Sequence, residues 1–296
     1  VEYEINDMLS MKLEGGAGYH LFERSNRGNL YNLRDIALYT QSRSTVERNS
    51  LFYSTNYNLT YNFDEKGQKL DFLAYYSYDE DDGGDYQSEF YTDAEWNENY
   101  EQSSGIETSE DGEEDEFRFQ LDYTLPVDEK TKFEAGAQAR LTDEQEWFDF
   151  NKLDTLTGEM QYDYTFSNTM DFKRHIYAGY ATWASEIFGI GYQLGLRAEY
   201  TDRQVGFLKA ENDYIIDRVD WFPSVHTSYK FNQENQIMAS YSRRINRPRG
   251  YYLEPFPTYR DAYNYRIGDP EIEPEYTDSY ELGWQKYLGD FSFTIE

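Results

Sequence analysis

Ile190-Gly191-Tyr192-Gln193-Leu194-Gly195-Leu196-Arg197-Ala198-Glu199-Tyr200-Thr201 is the stretch on which the fold turns. Ile190, Tyr192, Leu194, Leu196, Ala198 and Tyr200 are apolar, while Gly191, Gln193, Gly195, Arg197, Glu199 and Thr201 between them are polar or lack a side chain. Side chains of a strand point alternately to its two faces, so this segment has one greasy face and one polar face. The same alternation runs through residues 51–63, 117–125, 133–141 and 279–285. Period-two patterning sustained this long specifies strands rather than helices. Several runs exceed the ordinary strand of about 5–6 residues. They reach the roughly 9–11 residues with which a tilted strand crosses a bilayer.

The connections between these runs alternate in length. Short ones fall at residues 64–67, 127–130, 186–189, 232–235 and 288–290, and long polar ones span 24–49, 79–115, 142–173, 202–217 and 248–277. Tight turns on one side and long loops on the other are the layout of an outer-membrane barrel. Apolar faces could equally pack on one another in a soluble sandwich, but that arrangement leaves the loop rhythm and the aromatic excess unaccounted for. Aromatic residues make up 19% of the chain, with 31 tyrosines. Tyrosine suits a membrane–water boundary, since its ring is apolar and its hydroxyl stays wet. Tyr57, Tyr61, Tyr123, Tyr192 and Tyr200 share the apolar faces. Arg243 and Lys286 also share that parity, each near a predicted strand end, where a long cation can snorkel.

The pattern predicts an all-β, antiparallel transmembrane barrel domain over residues 1–296. About eleven strands begin near Ser10 and end in 291–296. Mean hydropathy is −0.91 and no run of some 18 apolar residues occurs, which excludes a transmembrane helix. Bacterial single-chain barrels have even strand numbers, so an odd count implies a piece of a larger barrel. The absence of cysteine fits an exported chain, and any export signal is expected to have been removed or to lie outside this sequence.

Net charge is −30, and the segment 79–116 holds seventeen acids with no Lys or Arg; the remaining 40 acids and 27 bases give −13. Such a surface is unsuited to nucleic acid. The segment is expected to be a solvated, partly disordered extracellular loop. Its run Asp79-Glu80-Asp81-Asp82-Gly83-Gly84-Asp85 also has the oxygen density to hold a divalent cation such as calcium through Asp79, Asp81, Asp82 and Asp85, though not EF-hand spacing. Steering of a cationic ligand is a third use. A very salty habitat would also favour excess acid.

The sharpest motif follows Gln236. Ser240-Tyr241-Ser242-Arg243-Arg244-Ile245-Asn246-Arg247-Pro248 closes one strand, and Gly268-Asp269-Pro270-Glu271-Ile272-Glu273-Pro274-Glu275 leads into Ser279-Tyr280-Glu281-Leu282-Gly283. This resembles the barrel of TonB-dependent outer-membrane receptors, most closely their outer-membrane β-barrel branch, with Asp269 and Ile272 in place of the usual Asn and Leu. The likeness is specific over residues 179–283 and weaker before them. It implies the outer membrane of a Gram-negative bacterium and a 22-stranded barrel of which this chain forms about half. It also implies contact with lipid and with the TonB complex through a plug region that has no counterpart here. A surface lipoprotein would be a further partner. The implied function is uptake of a scarce solute, whether an iron chelate, cobalamin, a glycan or a peptide. The alternative is a non-transporting scaffold or adhesin whose loops bind at the surface.

Within 248–276, five of the seven prolines punctuate an extracellular connection rich in Tyr and Arg. Its arginines are expected to pair with Glu271, Glu273 and Glu275, and its tyrosines to pack on one another. Chemistry is not indicated. His20, His175 and His226 are far apart and show no metal-binding or catalytic spacing. A membrane-embedded hydrolase would need His226 beside an acid and a hydroxyl in the lumen. The lumen-facing charges Arg118, Asp122, Lys132, Glu134, Arg140, Arg197 and Glu199 are expected to pair across the wall.

Overall fold

A computed structural model describes residues 1–32, 38–211, 213–255, 258–261, 264–289 and 291–295. Its strands are β1 (Glu2–Asn6), β2 (Leu9–Asn32), β3 (Leu38–Asn62), β4 (Lys69–Thr92), β5 (Glu98–Pro126), β6 (Lys132–Asp154), β7 (Glu159–Tyr162), β8 (Asn168–Ile187), β9 (Ile190–Phe207), β10 (Tyr214–Asn232), β11 (Asn235–Asn246), β12 (Thr258–Asp261), β13 (Asn264–Arg266), β14 (Glu275–Leu288) and β15 (Phe291–Ile295). All but β12 and β13 form one 13-stranded sheet whose neighbours pair antiparallel in chain order, with β7 appended to β6. β1 and β15 stand at its two ends, so the sheet is an unclosed, barrel-like wall.

The eleven expected strands correspond to β2–β6, β8–β11, β14 and β15. The short turns lie where the sequence places them. The turn between β8 and β9 is only Phe188 and Gly189, both with positive φ (53° and 80°). That is the twisted two-residue connection that antiparallel strands favour, and glycine adopts it without strain.

The long polar connections differ from expectation. Segment 79–116 is not a loop: Asp79–Thr92 continues β4, β5 begins at Glu98, and the turn is confined to 93–97. Asp79 lies opposite Phe52 and Glu114 in an unbroken ladder, and Asp85 opposite Val46 and Thr108. The segments 24–49, 142–173 and 202–217 are likewise mostly strand. Acidic residues resemble loop because they seldom occupy a buried sheet face, but most side chains of this ladder keep contact with solvent. Its backbone pairing satisfies most of the amides that a loop would leave to solvent.

Register aligns the apolar faces into one band. Tyr57 faces Ala74, Ala74 faces Phe119, Phe119 faces Ala139, Ala139 faces Tyr177, and Tyr177 faces Tyr200. Phe119, Leu194 and Leu196 are 42%, 48% and 48% exposed, and among the described residues no second sheet covers them. A contiguous uncovered apolar surface of this extent needs a nonaqueous partner. No helix among the described residues is long and apolar enough to cross a membrane.

Aromatics border the band on both sides. Toward the short turns, Phe63 packs edge-on against Tyr61 and Tyr123 at 4.9 and 6.2 Å, and Phe133 lies 6.4 Å from Trp183. Toward the long hairpins are the pairs Tyr53–Tyr78 (5.2 Å), Tyr76–Phe117 (4.7 Å), Tyr177–Tyr200 (6.4 Å) and Tyr241–Tyr280 (4.9 Å). At this second rim tyrosine hydroxyls donate to carboxylates, Tyr76 to Asp115 at 2.6 Å and Tyr241 to Asp278 at 2.8 Å. Between Tyr53 and Tyr61 run eight residue steps of β3, about 27 Å of strand at roughly 3.3 Å each. Arg243, near the end of β11, lies over the Tyr276 ring at 4.8 Å.

Candidate functional site

The inner face carries charge held in pairs. The buried carboxylate of Glu116 accepts from Arg118 at 2.7 Å and from Arg140 at 2.8 Å, tying β5 to β6. Glu199 accepts from Arg197 of its own strand at 2.6 Å and from Arg247, at the root of the proline-rich segment, at 2.6 Å. Ionic pairs with several hydrogen bonds offset the cost of removing these groups from water. The expected pairing across the wall is met by Arg140 alone, through Glu116; Arg118, Lys132 and Arg197 pair instead with acids two residues away on their own strands, and Asp122 accepts from Gln120 and Tyr180.

Above the aromatic rim, an apolar cluster joins the charges on the inner wall. Phe148, Phe150, Met170, Phe172, Val205 and Phe207 form a buried cluster, and Leu253 completes it at 0% exposure. Leu253 comes from the proline-rich segment, which therefore packs inward on the wall rather than only on itself. Arg203 of β9 donates to the carbonyls of Pro270 (2.9 Å) and Ile272 (3.4 Å). Within the segment, Arg266 pairs with Glu254 at 2.8 Å, and Tyr251 stacks on Tyr252 at 4.1 Å. The expected pairing of its arginines with Glu271, Glu273 and Glu275 differs in the structure: among the described residues Arg247 and Arg266 pair with Glu199 and Glu254, and Glu273 lies 3.6 Å from Arg218 of the wall.

The motif residues divide the work of this docking. Arg247 reaches Glu199, while Pro248 and Pro274, at the segment's two roots, line one small cavity. The amides of Gly268 and Asp269 donate to Glu254 and Tyr252 carbonyls at 2.6 and 2.8 Å. A Cβ on Gly268 would lie 2.5 Å from the Tyr252 carbonyl oxygen and 2.7 Å from the Glu254 nitrogen, both backbone atoms. Gly268→Ala is expected to weaken docking by about 1–3 kcal/mol, the usual cost of overpacking. Faster amide exchange at Gly268 and Asp269 would register it. Asp269 also accepts from the Glu271 amide at 2.9 Å, and the Pro270 carbonyl is the one held by Arg203. Arg244 and Glu275 lie in the β11–β14 ladder opposite Thr277 and Asn246. Glu281 accepts from Ser240 at 3.1 Å, and Gly283 sits opposite Met238.

Beneath the docked segment lies a cavity of about 810 Å³, lined by Asp79 and Asp81 of β4, Glu114 of β5, Glu146 of β6, and Tyr251 and Arg266. Burial, then hydrogen bonding and charge repulsion from Glu144, push the Glu146 carboxyl up to about 9. Burial likewise raises Glu110 and Glu114 above the usual carboxylate range. Folded Glu146 holds a proton that the unfolded chain gives up near 4.5. Its contribution to stability is therefore complete below that pH and falls as pH rises toward 9. Glu146→Gln is expected to flatten the pH dependence of hairpin protection across that window, measured by amide exchange.

Asp79, Asp81, Asp82 and Asp85, expected as cation ligands, do not assemble into one ligand set. Asp85 pairs with Arg48 at 3.1 Å, and Asp82 lies opposite Asn49 and Asp111. Among the described residues no group of three or more His, Cys, Asp or Glu is placed to hold a metal ion. A second cavity, about 640 Å³, opens at the short-turn end of the lumen beside His226, Gln193 and Ser240. His20 borders the acidic cavity, and His175 lies 3.4 Å from Asp143.

A family model described as the outer membrane protein beta-barrel family matches residues 61–296. The chain belongs to that family. Its seat is the outer membrane of a Gram-negative bacterium. The family match begins well before the motif-bearing residues 179–283 and takes in β4–β6, whose strands carry no motif. Comparison with curated proteins gives no match. Among solved structures, this β-barrel chain is similar in fold to the ferric-catecholate import receptor Fiu from E. coli K12 (TM-score 0.54, 8% identity, 98% of this chain and 53% of that one). It is also similar to the siderophore receptor PiuA from Acinetobacter baumannii (0.54, 11%, 96% and 48%). A third is the ferric preacinetobactin receptor BauA from the same organism (0.50, 10%, 99% and 50%). The chain thus spans about half the length of the receptors it matches.

Residues that the motif does not mark, Leu253, Glu254, Arg203 and Glu146, make much of the site. Strand parity places Arg203 on the inner face with Arg197 and Glu199. Nothing in the sequence pairs Leu253 with a cluster some fifty or more residues upstream.

Proposed function

We propose that this chain is wall and surface hairpins of a TonB-dependent receptor that takes up a scarce solute. The two-faced wall carries the reading: an uncovered apolar exterior, a charged interior, and tall hairpins with an inward-docked segment at one end only. The long hairpins face the cell exterior and the short turns the periplasm, as in barrels generally. Together with its remaining half the chain makes a barrel of about 22 strands, whose plug contacts the inner-membrane TonB complex. A surface lipoprotein is its companion in capture. The receptors of similar fold are named for ferric siderophores, which favours an iron chelate over cobalamin, glycan or peptide. The acidic cavity favours a solute presenting neutral or cationic groups, because an anion entering it meets the field of Asp79, Asp81 and Glu114.

Uptake by cells bearing the complete protein, with and without TonB, tests the proposal. Accumulation of a ferric chelate that stops when TonB is removed is the expected result. Surface binding without accumulation would replace it with the scaffold or adhesin role.

A further inference from the structure

We infer that the wall and the roots of the docked segment together hold a small inorganic anion, chloride being the abundant example. Arg174 of β8, Arg203 of β9, Arg218 of β10 and Arg247 line one cavity of about 10 Å³, closed by Pro248 and Pro274. That is room for one water-sized sphere. A monatomic halide is somewhat larger than water and enters with a small outward shift of the guanidiniums, whereas phosphate or sulfate is too large.

The four guanidiniums are unequally matched. Arg247 has Glu199 at 2.6 Å and Thr201 at 3.2 Å. Arg218 has Asp220 at 3.2 Å, the Tyr276 hydroxyl, and the exposed Glu273 at 3.6 Å. Arg203, only 5% exposed, has two backbone carbonyls and no carboxylate, and its Nε is buried without a hydrogen-bond partner. The Nε of Arg174 is buried and unpartnered as well, and its guanidinium lies 5.4 Å from the Phe172 ring. Burial and the like charges of Arg174 and Arg218 hold Arg203, three residues beyond the rim tyrosine Tyr200, below the usual arginine range.

Arginine does not shed its proton in a protein; Glu199, Asp220 and Glu273 serve Arg247 and Arg218, and Glu114 and Glu144 act on Arg174, so the counter-charge still lacking is Arg203's. A water can accept the orphaned N–H groups but leaves the repulsion in place. An anion does both. Bound there, it would join β8, β9 and β10 to Arg247 and to both prolines, so that its occupancy decides how firmly the segment 248–274 sits over the lumen. This conclusion does not depend on which solute is carried.

The test uses the complete natural protein in detergent, with bromide as the probe. Crystals grown in bromide should show an anomalous peak between the four arginines. Amide exchange in 250–255 and 268–274 should be slower in sodium chloride than in sodium gluconate of equal ionic strength. Arg203→Gln should weaken bromide binding about tenfold or more, the value of one charge-assisted hydrogen bond, and abolish the salt difference. Because Arg203 also grips Pro270 and Ile272, Arg174→Gln serves as a second variant with the same expected result. No bromide peak would overturn the inference. A peak with identical exchange in the two salts would mean an adventitious ion only. Variants that retain the full chloride effect would overturn it too, since the effect would then arise away from these arginines.

Discussion

Leu196→Arg is expected to destabilise folding into a bilayer by about 2–4 kcal/mol, the cost of a cation near the hydrocarbon midplane of a barrel. Leu196 lies midway along the apolar run from Ile190 to Tyr200, opposite Ala181 and Pro223, and is 48% exposed with no protein over it. Gln193→Arg is the matched control. Gln193 is on the same strand but borders the lumen cavity, where water reaches it, and a surface change of this kind stays within about 0.5 kcal/mol. Denaturant titration of the complete protein in lipid vesicles reads both. Equal effects at the two sites would mean that the exterior is not facing hydrocarbon.

Leu253→Ala is expected to cost about 2–5 kcal/mol, the range for emptying a fully buried leucine site. Leu253 is 0% exposed, sealed among Met170, Phe172, Val205 and Phe207. The cost falls on docking, not on the wall, whose ladders do not pass through this residue. The undocked population of 248–274 should rise about 30-fold or more. Faster cleavage after Arg249 by trypsin would reveal it, with the heat-resistant gel mobility of the barrel unchanged. Tyr252→Ala, one residue away but 48% exposed, should change cleavage little. If both variants behaved alike, the segment would be held by its own stacking rather than by Leu253.

The strands were legible because alternation is a local property. Ile190–Tyr200 carries its two faces in its own sequence, and the turns are marked by Gly67, Gly189 and Asn232. Family membership was legible from the residues around Pro248 and Pro270. The length of the hairpins was not. Asp79–Asp85 and Glu113–Glu116 have the composition of unpaired loop, and only the partner strand shows that they ladder. β1, β7 and the β12–β13 hairpin are too short to show a period. The inward seat of Leu253 escaped for a different reason. A single apolar residue among prolines and tyrosines specifies no destination until Phe172 and Val205 are brought together by the β8–β9 register. The same limit applies to Arg203, whose grip on two carbonyls depends on a backbone path rather than on residue types.

The β4–β5 hairpin rises from Tyr78 to Thr92 before it turns, fourteen residue steps or roughly 46 Å of strand at about 3.3 Å each. Leaning at about 35–45°, as barrel strands do, it stands roughly 35 Å proud of the aromatic rim. With the long hairpins facing outward, as proposed above, such a fin would carry its tip clear of the membrane surface. There Asp93 accepts from the backbone amides of Glu95 and Asn97 and Trp96 adopts a φ of 66°, so a macromolecule approaching from outside would meet the tip before the rim.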